Sequence, residues 1–222
     1  MKYSVIENHE KQLDAIWSNK EFKNIEVISR GYHTVESILN HSILFIGINP
    51  SFNLERSSKN LKTFVSIKQE SNEYQKYYKP FETIAKELDS PWSHLDVLYF
   101  RETSQKYIDT LLKTCEGREF INCQLVITKE ILENCLPKCI VVCNAKAREF
   151  LGKNTTKQKW MNYNFKFDDH LGTYRIDNAE SNLNSTPVFF SSMLSGARAL
   201  DIGSKERLVS QIKRVLEARK FL

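Results

Sequence analysis

One carboxamide stands out in this chain because of its neighbours: Gly47-Ile48-Asn49-Pro50-Ser51 follows directly on the apolar run 43–46. The segment 42–47 reads as a strand buried on both faces, of the kind found in the middle of a parallel sheet. Gly47 lets the backbone turn closely, while Pro50 restricts Asn49 to an extended or turn conformation and ends ladder bonding. The carboxamide is thereby presented at the carboxyl end of a central strand, where open α/β sheets place their ligands. Asn before Pro is also a turn residue that bonds its own backbone. Both roles stay open on residue type alone.

Other residues carry chemistry in their types or spacing. Arg101 and Glu102 leave a strand end together, able to bind phosphate or a base edge, or to pair with each other at the surface. Ser191, Ser192 and Ser195 suit contacts to a phosphate backbone as well as turn capping. Asp168, Asp169 and His170 form either a metal site or a solvated turn, and the turn is the simpler reading. Cys135, Cys139 and Cys143 recur every four residues. However, residues four apart in a strand are roughly 13 Å apart along its axis, too far to share one ion. Buried structural thiols are expected, with no metal and no cofactor. None of the five histidines lies near Arg101-Glu102 or the serines of 191–195, so no Ser/His/Asp constellation can be recognised.

These residues need elements to position them. Residues 8–19 have the spacing of an amphipathic helix around Leu13, Ile16 and Trp17. A long polar connection runs from 51 to about 79, part helix and part loop. Phe81, Ile84, Ala85 and Leu88 give helical spacing, and 95–100 is a second strand. Helices are expected over 104–113 and 117–134. Residues 139–143 form a third buried strand, leading through Asn144 into a helix that Gly152 stops. Residues 159–167 and 172–176 suit an antiparallel hairpin, 187–192 a fourth strand, and 204–220 a closing helix begun at Ser204. Four buried strands separated by helices predict a three-layer α/β/α sandwich with a central, mostly parallel four-stranded sheet.

The chain has 222 residues, enough for one sizeable core and short for two domains. A single domain over 1–222 is expected. Net charge is +5, a mild excess of base compatible with a polyanion partner but not diagnostic of one. Nothing approaches the roughly 18 consecutive apolar residues of a membrane span, and the amino terminus lacks the apolar core of a secretion signal. The odd cysteine count, five, then argues for reduced thiols. A soluble, cytoplasmic protein, monomeric and without membrane contact, is expected.

Taken together, the strand ends resemble the uracil-DNA glycosylase superfamily, most closely its mismatch-specific uracil/thymine branch. Gly47-Ile48-Asn49-Pro50-Ser51 is similar to that branch's Gly-Ile-Asn-Pro-Gly motif. The segment 98–103, Leu-Tyr-Phe-Arg-Glu-Thr, stands where the branch has a strand ending in an Arg-Pro-Thr-like segment. Residues 140–147 resemble the superfamily's strand-to-helix step, and 191–196, Ser-Ser-Met-Leu-Ser-Gly, its second motif. The order and spacing hold over roughly 42–216.

The resemblance implies a monofunctional, metal-free glycosylase that hydrolyses the N-glycosidic bond of uracil or a related damaged base in DNA. Asn49 would orient the hydrolytic water. Gly47, Ile48, Pro50, Ser51, Phe52 and Asn144 would line the base pocket. Arg101, Ser191, Ser192, Met193, Leu194, Ser195 and Arg198 would meet the DNA, with Met193 and Leu194 as an apolar plug behind the flipped base. Phe52, Phe64, Tyr77 and Tyr78 are the candidate stacking rings. Two departures matter. Ser51 replaces a glycine that would allow close approach to the base. Phe190 stands where the second motif has His or Asn, and a preorganised donor there is commonly worth ~3 kcal/mol to a transition state. A catalytically weak or inactive member binding nucleic acid or nucleotide through the same pocket is the alternative; an unrelated small-molecule α/β enzyme is a third.

Overall fold

The computed structural model describes residues 1–53, 58–66, 72–153, 160–196 and 199–218. The chain enters through β1 (Lys2–Ser4) and α1 (Val5–Ser18), which Ser4 caps by accepting from the Glu7 amide. Two single-turn 3-10 segments lead to β2 (Gly31–Val35), β3 (Ser37–Leu39) and β4 (Ile43–Gly47). Then come β5 (Leu61–Val65), α2 (Asn72–Glu87), β6 (Trp92–Asp96), α3 (Lys106–Leu111), α4 (Cys115–Cys135), β7 (Cys139–Val142) and α5 (Ala145–Leu151). The hairpin β8 (Phe165–Asp168) and β9 (Thr173–Ile176), β10 (Pro187–Phe190) and α6 (Ile202–Ala218) complete the order.

The central sheet has six strands, ordered β6-β4-β7-β10-β9-β8, rather than the expected four. Its first four strands are parallel and the last two antiparallel. The two extra strands are the hairpin anticipated at 159–176, which pairs with β10 instead of standing apart. Two small pairs, β1 with antiparallel β3 and β2 with parallel β5, lie outside this sheet. Alternate residues of the central strands feed two apolar clusters, as the period of two requires. Leu44, Ile46, Ile140 and Val142 pack with side chains of α1 and α4. Ile43, Phe45, Cys139 and Val141 pack with side chains of α2 and α6.

The second strand differs most from expectation. The apolar run 95–100 invites a strand, yet β6 ends at Asp96 and residues 97–100 continue as irregular, fully buried backbone. Such backbone must find partners off the ladder. Val97 and Leu98 donate to the carbonyls of Gly47 and Ile48, so β4 is escorted past its own end. Gln124, fully buried on α4, accepts from the amides of Tyr99 and Phe100 at 2.8 and 3.2 Å. One turn on, Thr128 donates to the Val97 carbonyl and accepts from the Tyr99 hydroxyl. Positions four apart on a helix share a face, so α4 presents two polar handles within an apolar stripe. On the other side, His33 of β2 donates to the Tyr99 carbonyl.

Gln124→Leu keeps apolar bulk but strands two buried amides, each costing about 1–3 kcal/mol. Urea unfolding should show a loss of roughly 2–4 kcal/mol; a variant as stable as the parent would mean those amides find other partners.

Candidate functional site

The topology fixes where a ligand crevice opens. From β4 the chain passes to β6 on one side, then crosses to β7 on the other. Such a reversal leaves a gap outside the carboxyl ends of the two strands that flank it. Gly47, at the end of β4, and the Cys143-Asn144 step after β7 border that gap.

Asn49 is half-buried there, and its amide nitrogen is committed to the fold. It donates to the carbonyls of Glu102 and Pro50 at 2.6 and 3.0 Å and lies 3.5 Å from that of Phe100. The side-chain oxygen is the acceptor it retains for a ligand or water. The 50–52 turn is laced to 102–103: Glu102 donates to the Pro50 carbonyl, and the Thr103 hydroxyl accepts from the Phe52 amide and donates to the Phe52 carbonyl. Ile48 and Pro50 are buried, while Ser51 is exposed. Asn144 is also spent structurally, its oxygen capping α5 by accepting from the amides of Lys146 and Ala147.

Two expected contacts turn inward. Arg101, expected to meet DNA, is 6% exposed and donates to the carbonyls of Arg30 and Ser58. Glu102 pairs with Arg30 at 2.5 Å, so Arg101 and Glu102 form no surface pair with each other. The guanidinium groups of Arg30 and Arg101 lie 4.9 and 5.1 Å from the centre of the Phe52 ring, which removes Phe52 from the stacking candidates. Phe64 packs edge-on against Tyr32, and Tyr78 is buried among Phe81, Trp92 and His94. Tyr77 is half-buried and packs edge-on against Tyr78, Phe81 and His94.

Beside Tyr77 lies the residue that sequence reasoning missed. Asp96 ends β6, paired in register with Gly47. A Cβ on Gly47 would fall 2.1 Å from Asp96 Oδ1 and 3.1 Å from His94 Nε2. Only glycine therefore allows the carboxyl to sit against the β4 backbone. The Asp96 side chain is 15% exposed, and its ion-pairing neighbour among the described residues is His94, whose Nε2 is 3.9 Å away. That nitrogen is 3.3 Å from the Tyr77 hydroxyl. Burial pushes the Asp96 carboxyl up to about 7 and His94 down to about 3. Burial, then proximity to the ionisable Asp96 and Cys143, raises Tyr77 well above its ordinary value. Burial and Asp96 raise the Cys143 thiol. Near neutral pH, Asp96 is the member of this cluster poised to exchange a proton. The signal in sequence was a lone acid inside the apolar run Leu95-Asp96-Val97-Leu98.

The second loop begins beside the same gap, where the Ser191 amide donates to the Val142 carbonyl. Ser191, Met193 and Ser195 are half-buried and Ser192 is exposed. Leu194, expected as part of an apolar plug, is 7% exposed and packs in the cluster shared by α2 and α6. The apolar core outcompetes presentation at the surface. Arg198 lies outside the described residues. Phe190 packs its ring on Phe165 and Tyr174 of the hairpin, at centroid distances of 5.1 and 5.4 Å. Asp168 folds back to accept from the His170 and Leu171 amides, as in a turn. Among the described residues, no three His, Cys, Asp or Glu side chains converge as a metal site, and no helix is long and apolar enough to cross a membrane.

A cleft of about 590 Å³ opens at the opposite end of the sheet, lined by His41, Asp89, Leu136, Lys138, Lys213 and Glu217 among others. These residues precede the parallel strands or lie on α6, and both signs of charge alternate there. It does not adjoin Asn49 or Asp96.

No family model, curated protein or solved structure matches this chain.

A carboxyl raised in the folded state gives stability that is full below its unfolded value near 4 and lost as pH rises through about 7. Asp96→Asn, neutral at every pH, should therefore melt higher than the parent at pH 8, by at least roughly 2 °C. The gap should close towards pH 4.5, where the parent carboxyl is protonated. His94 acts in a separate, more acidic window, between about 6.5 and 3, and is common to both proteins. Equal melting temperatures at pH 8 would show that the Asp96 carboxylate is well solvated.

Proposed function

We propose that this chain is a DNA glycosylase, hydrolysing the N-glycosidic bond of uracil or a related damaged or mismatched base through a water oriented by Asn49. The observation that carries this reading is one of convergence. Segments 47–51, 140–147 and 191–196, three of those that carry the resemblance to uracil-DNA glycosylases, run through or from the carboxyl ends of three adjacent parallel strands, β4, β7 and β10. With helices packed on both faces, we read the architecture as a three-layer α/β/α unit spanning 1–222, monomeric and cytoplasmic.

In this reading the target base leaves the stack, at a cost of a few kcal/mol, and enters the crevice beside Tyr77. The Asn49 amide nitrogen is pinned by the carbonyls of Glu102 and Pro50, so its oxygen has a fixed direction from which to hold a water. An amide does not take a proton at neutral pH. Asn49 therefore orients the water that captures the sugar cation and leaves proton transfer to other groups. Ser191, Ser192 and Ser195 supply donors to the phosphates.

A second reading has its own support. Phe190 offers no hydrogen-bond donor where the resemblance expects one, and Leu194 is packed inward. Both favour a weak or inactive member that binds nucleic acid or nucleotide through the same crevice.

Labelled oligonucleotides carrying uracil, G·U, G·T or hypoxanthine, treated with alkali after incubation, separate the two. The glycosylase reading expects strand breaks from the parent protein, reduced roughly 100-fold in Asn49→Ala, since misplacing a reacting group costs about that much. Unchanged DNA affinity would show that the loss is not one of binding. No breaks on any substrate, with DNA still retained, would replace it with the binding reading.

A further inference from the structure

We propose that Asp96 is the proton donor to the departing base, an inference that rests on the N-glycosidic reading above. Its position carries the argument. The carboxyl stands at the carboxyl end of β6, against Gly47, the glycine that opens the Asn49 motif and ends the strand bordering the crevice. It is sheltered yet reachable, with 15% of the side chain exposed.

Its surroundings differ from those of Glu133 and Glu102, two other half-buried carboxylates. Glu133 accepts from the Tyr163 hydroxyl, the Ser181 hydroxyl and the Asn182 amide, and Glu102 holds Arg30 and the Ser104 amide. Within electrostatic reach of Asp96 are His94 from its own strand, Tyr77 from α2, Cys143 after β7 and Tyr99 beyond β6. Burial keeps His94 uncharged, and it keeps the other three protonated at neutral pH. No cation in this group compensates a carboxylate, so the protonated acid persists to about neutral pH. A carboxylic acid held neutral in a crevice is a donor, and a departing base is the acceptor that needs one.

The step balances as follows. The bond between C1′ of the sugar and the base nitrogen breaks, its electron pair going to the nitrogen. The Asp96 hydroxyl proton passes to the base. Water held by Asn49 bonds to C1′ and releases a proton to solvent, from which Asp96 is reprotonated. The products are the free base and an abasic sugar. Such assistance is worth most for a base whose anion is a poor leaving group.

Single-turnover excision of uracil and of 5-fluorouracil, whose anion is the more stable, tests this for the parent, Asp96→Asn and Asn49→Ala. With the parent, the uracil rate should fall tenfold per pH unit above about pH 7. Asp96→Asn should flatten that profile and slow uracil release roughly 100-fold, but 5-fluorouracil release by less than about tenfold. Equal slowing of both bases, or a profile that follows the parent's, would overturn the role of Asp96. If the parent cuts, Asn49→Ala fails and Asp96→Asn matches the parent, only this inference falls. If the parent releases neither base, the glycosidic reading falls and takes the inference with it.

Discussion

The seating of β4 is the constraint from which the rest of the structure follows. All five of its residues are buried, with β6 on one edge and β7 on the other. A strand closed on both faces and both edges has no freedom of register, because a one-residue slip would exchange its two apolar faces. The ladder does not stop with the strand. Residues 97 and 98 continue it past Gly47, and 102 and 103 lace the following turn. Asn49 is thus held by the same hydrogen-bond system that centres the sheet, and a disturbance in β4 would reach it directly.

That arrangement depends on buried polar groups being satisfied by distant parts of the chain. Gln124 and Thr128 exist on α4 as partners for irregular backbone at 97–100, and Arg101 serves carbonyls at 30 and 58. Arg30 in turn pairs with both Glu26 and Glu102. A buried group left unsatisfied costs more than a made bond returns, so these pairings supplement the apolar contacts between 97–100 and α4. Asp96 is held differently. It lies against a glycine and neutral polar side chains, and among the described residues its ion-pairing neighbour is His94 rather than a lysine or arginine. Burial raises its carboxyl to about 7, so carrying it ionised costs stability as pH rises through that value. Such conflict is a feature of sites that do chemistry.

Much of the scaffold was legible in the sequence. The runs 42–47 and 139–143 are continuous and apolar, and each became a central parallel strand. The helices at 117–134 and 204–220 showed their apolar stripe plainly. Reading failed where composition and conformation part company. Residues 95–100 have strand composition but lose their ladder after Asp96, because the partners that accept them are on α4 and β2. The apolar spacing showed a helix only from Phe81, whereas α2 begins at Asn72 and carries Pro80 inside. The hairpin was found, but not its docking on β10, since antiparallel pairing between segments leaves no local signature.

The sequence by itself determined that this is an α/β chain with a turn presenting Asn49 at the end of a buried strand. Those properties are written in local residue order: apolar runs, a glycine and a proline. Only the tertiary structure decided which groups share the crevice. It withdrew Arg101, Phe52 and Leu194 into the fold and set Asp96 and His94 beside Gly47, with the Tyr77 hydroxyl against His94. The physical reason is distance along the chain. Whether a charge is buried, paired or left exposed to a ligand depends on segments that meet only when the sheet assembles.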